Sequence, residues 1–202
     1  GTKETLTIIL NSVTHQWNFN ELGEVDVIGD IKIREYLVQN GKFICKFGRV
    51  GGDFYCHNNN LTSLQGAPQK VEGDFNCNNN NLTSLQGAPK QVVGDFYCNN
   101  NNLTSLQGAP KQVVGDFYCG NNKLTSLQGA PQKIVGSFFC SGNKLTSLQG
   151  APQQVGGDFY CKNNNLKSLQ GAPQKIDGNF VCNGNPDLSP DEIKKYKLSL
   201  FS

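Results

Sequence analysis

The 21-residue stretch Leu82 to Asn102, LTSLQGAPKQVVGDFYCNNNN, recurs through this chain at a fixed period. Leucines 61, 82, 103, 124, 145 and 166 open six copies that run to Pro186. A unit this short cannot bury an apolar side alone. Each copy therefore becomes one coil of a solenoid and hides its inner side against the coils above and below it.

Aligning the copies turns positions into columns. Val71, Phe75, Cys77, Leu82 and Leu85, with their equivalents, are the apolar columns, and Asn80 heads a polar one that recurs at Asn59, Asn101, Asn122, Asn143, Asn164 and Asn185. Phe75 and Cys77 are two apart, so an extended segment points both inward. Strands are expected from Phe54–Cys56 to Phe180–Cys182, stacked as one parallel sheet on one face of the coil. Gln-Gly-Ala-Pro is too short and too rich in Gly and Pro for a helix, and reads as an extended, polyproline-like return. An inward Asn where the chain leaves the strand is expected to bond backbone groups cut off from water, as a ladder from coil to coil.

The run Phe-x-Cys-x-x-Asn-x-Leu-x-x-Leu resembles the leucine-rich repeat motif L-x-L-x-x-N-x-L-x-x-L, with Phe and Cys in the first two aliphatic places. With its Leu-Thr-Ser-Leu tail and short Pro-bearing return it is most similar to the short leucine-rich repeats of bacterial secreted effectors. The G-D-F-x-C-x-x-N-x-L-T-S-L form also resembles repeats of bacteriophage proteins. The likeness covers residues 50 to 186 and says little about activity. It implies a leucine-rich repeat solenoid that binds another macromolecule. One departure is that Val71 precedes Phe75 by four residues rather than three, so a bulged lead-in to the strand is expected.

The ends depart from the pattern. Residues 2 to 13 read as a helix that Thr2 caps, with Leu6, Ile9, Leu10 and Val13 on one buried stripe. Trp17 and Phe19 alternate along a strand, Asn-Glu-Leu-Gly turns the chain toward Val25 and Val27, and Gly29 to Ile33 echo a worn first coil. Ser189-Pro190-Asp191-Glu192 is a helix start. The domain reading is thus an N-terminal cap at 1–49, the array at 50–186 and a C-terminal helical cap at 187–202.

A net charge of +2, with 17% charged residues, makes no demand for nucleic acid or an anionic membrane. No run reaches the ~18 apolar residues of a membrane span. Methionine is absent even at position 1, which reads as the trace of a removed start. Seven of the eight cysteines fill one inward column, and Cys45 stands apart. Such a column reads as reduced thiols in a reducing compartment, the cytoplasm (the host's, if the protein is viral). There is no C-x-x-C pair and there are two histidines, His15 and His57, so no metal or other cofactor is expected. No catalytic residues are assigned: nucleophile groupings and phosphate-binding glycine patterns are missing, and periodic carboxylates lack the unlike partners of an active site.

A function is therefore sought in the outward strand columns. One is Asp53, Asp74, Asp95, Asp116, Ser137, Asp158 and Asn179; the next is Tyr55, Asn76, Tyr97, Tyr118, Phe139, Tyr160 and Val181. A row of aromatic rings beside a row of carboxylates suits a protein partner, centred on Tyr97, Tyr118, Phe139 and Tyr160. The competing reading is structural: rings as cross-strand neighbours, and Asp bonding the backbone of its own turn. Lysines 70, 90, 111, 133 and 175 mark the opposite, basic side, where nucleic acid is disfavoured because the aromatics lie elsewhere. The alternatives are a carbohydrate-binding solenoid built on Tyr, Asp and Asn, and an ice- or surface-binding one using the Asn/Thr file at 60/62, 81/83 and 102/104. Oligomeric state is left open.

Overall fold

The structure, a computed structural model, describes residues 2–202, with only the backbone of Thr2. It is a parallel β-solenoid of about seven turns with two short helices. Each regular coil carries two short strands, not one. A front sheet of eight strands runs from Ile31–Lys32 through Phe54–Tyr55 and its repeats to Phe180–Val181. A rear sheet of nine strands holds Trp17–Phe19, Val25–Val27, Phe47–Val50, Lys70–Val71 and the repeats of the last to Lys175–Ile176.

This corrects two expectations. The Val71 column is not a bulged lead-in to the front strand; it forms a second parallel sheet, with Val71 opposite Val92 and Val92 opposite Val113. The return is not an extended segment either. Ala67 N–H bonds Leu64 C=O at 2.9 Å, and Gly66 between them has φ +94°, as a type II turn requires at its third residue. A tight turn delivers the chain into the rear strand. Within that turn the Ser63 hydroxyl also accepts the N–H of Gln65.

Within the array, pairing is in register by one repeat: Phe75 lies opposite Phe96, and Phe96 opposite Phe117. Identical side chains therefore stack. The inward Phe rings from Phe54 to Phe180 form a continuous pile with centroids 5.1 to 5.8 Å apart. Cys, both Leu columns and the Val column fill the space between the sheets, and nearly all of them are fully buried. Removing one such ring leaves a cavity that costs ~3–5 kcal/mol.

The polar Asn column behaves as expected. Asn80 Nδ2 donates to the carbonyls of Cys56, Cys77 and Asn78, and its Oδ1 accepts the N–H of Leu61 and Asn59. One side chain thus satisfies five backbone groups at the bend.

Helix α1 spans Thr2–Val13, where Leu10 is buried and Leu6, Ile9 and Val13 pack against the core. The expected Thr2 cap lies outside the described side chains. Trp17–Phe19 and Val25–Val27 form the antiparallel hairpin, and Ile31–Lys32 joins the front sheet beside Phe54–Tyr55. Both sheets and the core run without a break across residue 49. Helix α2 spans Pro190–Ser199, and the Ser189 side chain accepts the N–H of Glu192. Glu192 in turn accepts the N–H of Leu169 at 2.8 Å instead of reaching back to Ser189. Tyr196 sets its ring edge-on against Phe180, centroids 4.8 Å apart, and donates its hydroxyl to Pro173 C=O.

Candidate functional site

The ten outward residues singled out in the sequence share the front face. Asp53, Asp74, Asp95, Asp116 and Asp158 form one half-buried column; Tyr55, Tyr97, Tyr118, Phe139 and Tyr160 stand two residues further along in the next. The geometry shows what each column does inside the fold.

The carboxylates bond across coils rather than within their own turns. Asp53 Oδ1 accepts the backbone N–H of Asp74, Asp74 that of Asp95, Asp95 that of Asp116 and Asp116 that of Ser137, all at 2.7 to 2.8 Å. Ser137 continues the ladder with its hydroxyl, accepting the N–H of Asp158 at 2.9 Å, and Asp158 accepts that of Asn179. The glycine before each Asp leaves room for this. A Cβ on Gly94 would lie 2.3 Å from Asp74 Oδ1 and 2.6 Å from the Gly73 carbonyl carbon. The Gly-Asp pair is a seat for the carboxylate of the coil before it.

The second carboxylate oxygen holds the tyrosines. Hydroxyls of Tyr55, Tyr97 and Tyr118 donate to Oδ2 of Asp53, Asp95 and Asp116 at 2.8 to 3.2 Å. The bond to Asp53 and burial push the Tyr55 hydroxyl up to about 12, and burial followed by the nearby Asp116 charge does the same at Tyr118. Asp74 has Asn76 where the others have Tyr, and burial raises its carboxyl above the usual range. Where the carboxylate is replaced, the hydroxyl is gone too: Ser137 goes with Phe139, and Asn179 with Val181. Variation in the aromatic column thus follows its acidic neighbour in part.

Four rings stack in the middle of this face. Tyr97 and Tyr118 are parallel at 4.6 Å, Tyr118 and Phe139 follow at 4.8 Å, and Phe139 and Tyr160 at 5.1 Å with a 32° tilt. Ring faces cover one another, so the surface is built from ring edges. None of these rings belongs to the buried core, and all are half-buried.

Sequence reasoning missed two features of this face. Asn58, Asn79, Asn100, Asn121 and Asn163 adopt positive φ, a conformation Asn tolerates better than most residues. Gly142 and Gly184 in the same column were the readable signal. A second ladder also joins the third outward column, His57, Asn78, Asn99, Gly120, Ser141, Lys162 and Asn183: Asn78 Oδ1 accepts the N–H of Asn99, and Asn99 Oδ1 that of Gly120, each at 2.7 Å.

The stacked thiols point inward. Cys77, Cys98, Cys119 and Cys140 donate Sγ–H to the carbonyls of Tyr97, Tyr118, Phe139 and Tyr160, and burial pushes each thiol up. Among the described residues, no group of three His, Cys, Asp or Glu side chains is placed to hold a metal ion, and no helix is long and apolar enough to cross a membrane. On the rear, Lys70 and Lys175 pair with Glu72 and Asp177. No protein-family model, curated protein or solved structure matches the chain.

Proposed function

We propose that this solenoid is a non-enzymatic binding module of the leucine-rich repeat kind, and that its front face recognises another protein. The observation that carries this reading is the half-exposed stack Tyr97–Tyr118–Phe139–Tyr160 beside the Asp column. Rigid aromatic edges locked in a pile offer contact area at little cost in conformational entropy, and the neighbouring carboxylates favour a partner with basic and apolar groups. The resemblance to bacterial and bacteriophage repeats makes a host protein the first partner to seek. The buried thiols suit a reducing compartment such as the cytoplasm. In this reading the two terminal segments are caps. Phe43 and Phe47 meet Phe54 edge-on at one end of the inner stack, as Tyr196 meets Phe180 at the other.

Sugar binding asks for open ring faces on which a pyranose can lie, and here the faces lie against each other, so the protein reading is preferred. The test is capture from host lysate by the wild type and by a Tyr97→Ala, Tyr118→Ala, Tyr160→Ala variant, each first shown to be folded by circular dichroism. A protein retained only by the wild type supports the front face as the interface. Equal capture by both sinks that assignment.

A further inference from the structure

The repeat pattern breaks in charge at the N-terminal end of the front face. Lys32 lies opposite Tyr55 in the sheet. The bond from Ile33 N–H to Tyr55 C=O carries the register on, so that Arg34 falls beside His57. In the next two coils these places hold Asn76 and Tyr97, and Asn78 and Asn99. Two cations and an imidazole thus replace neutral side chains, and they line a groove of about 630 Å³ with Ser12 and Tyr36.

Two observations separate this groove from an ordinary solvated edge. Among the described residues no ion pair engages Lys32 or Arg34, although Glu35 also lines the groove. His57 Nδ1 is buried without a hydrogen-bond partner. The third-column ladder explains why. Asn78 N–H, which the residue at 57 would have taken by analogy with later coils, bonds Asn76 Oδ1 at 2.9 Å instead. A ladder-forming Asn at this place would keep the repeat, but His stands there.

We propose that this groove binds an oxyanion, the carboxylate or phosphate group of a ligand, held by Lys32 and Arg34 with the His57 ring at its side. Both cations are exposed; Lys32 ends its strand and Arg34, just past it, keeps extended backbone, so the two, being two apart, project to one side. Arg presents a planar fork matched to two oxygens, and Lys adds a point charge. Burial, and then the Lys32 charge, hold the imidazole below its ordinary value, so the ring adds little charge of its own to the groove. Glu35 lowers the attraction without cancelling it. The site lies apart from the Tyr97–Tyr160 stack and does not depend on the protein-binding reading.

The experiment is an NMR titration of the full chain with inorganic phosphate and, separately, with acetate, at constant ionic strength held with chloride. Saturable shifts are expected at the His57 ring and at the amides of Arg34 and Asn58. Binding should weaken roughly tenfold in Lys32→Ala and again in Arg34→Ala, as loss of a charge-assisted bond implies. Tighter binding of phosphate than acetate assigns a phosphoryl ligand, and the reverse order a carboxylate. Lys162→Ala, far along the same column, should leave the titration unchanged. Shifts that rise linearly without saturation, or that are equal in wild type and both groove variants, would overturn the proposal. His57→Asn, which restores the repeat residue, guards against misfolding: it should melt no lower than wild type and still bind more weakly.

Discussion

Asp95 Oδ1 accepts the backbone N–H of Asp116, one coil further along, at 2.7 Å. That bond makes the acidic row a structural ladder before it is anything else, because the lead-in to each front strand would otherwise carry an unsatisfied N–H. The row is continued by a hydroxyl at Ser137 and ends in a neutral amide at Asn179, the last position of the ladder. Any interface on this face is therefore assembled from groups that already hold the coils together.

Asp116→Ala should destabilise the chain by about 1–3 kcal/mol, the cost of leaving the Ser137 N–H unpaired. Asp116→Asn keeps an acceptor oxygen and should cost less. Urea denaturation of the two variants beside wild type measures the difference. Equal losses would mean that the charge, and not the acceptor, is what matters.

Two glycines make a matched pair. A Cβ on Gly94 meets Asp74 Oδ1 and Gly73 backbone at under 3 Å, whereas a Cβ on Gly29 has nothing within 4 Å. Gly94→Ala should lower the melting temperature by several degrees, consistent with the ~1–3 kcal/mol of an overpacked site. Gly29→Ala should be close to neutral. A neutral Gly94→Ala would show that the carboxylate seat yields.

Tyr55 and Tyr118 hydroxyls are raised from their usual 10 to about 12. The folded chain then holds protons that the unfolded chain has released once pH exceeds 10. Stability from these hydroxyls is complete below pH 10 and is lost as pH climbs toward 12. Ultraviolet titration of phenolate in wild type, Tyr55→Phe and Tyr118→Phe should show each variant losing a late-ionising component. Loss of a component near pH 10 instead would contradict the Asp–Tyr pairing.

Tyr196→Phe keeps the ring on Phe180 but removes the 2.7 Å bond to Pro173, whereas Tyr196→Ala removes both. Hydrogen exchange in the last coil should rise modestly in the first and strongly in the second, with coils near Phe75 unaffected. Exchange that rises equally along the whole solenoid would place the role of Tyr196 outside this end.

The inner columns, the Asn ladder and both helices were legible in the residues because each depends on chemistry repeated or grouped within a short stretch. The rear sheet was not, since its array strands such as Lys70–Val71 are two residues long and carry no alternation to detect. Nor was the role of the Asp row, because its partner is a backbone N–H whose identity depends on which coils lie side by side.

The order of residues is enough to establish that this chain is a solenoid and which side chains face its core, because a fixed period puts like residues into contact in whatever register the coils stack. That each regular coil carries two strands, that Asp and Tyr close a hydrogen-bonded pair, and that Lys32, Arg34 and His57 share one groove emerges from the folded arrangement alone. Those outcomes rest on distances between neighbouring coils, and a hydrogen bond or a shared groove exists only once two segments far apart in the chain are brought within a few ångströms.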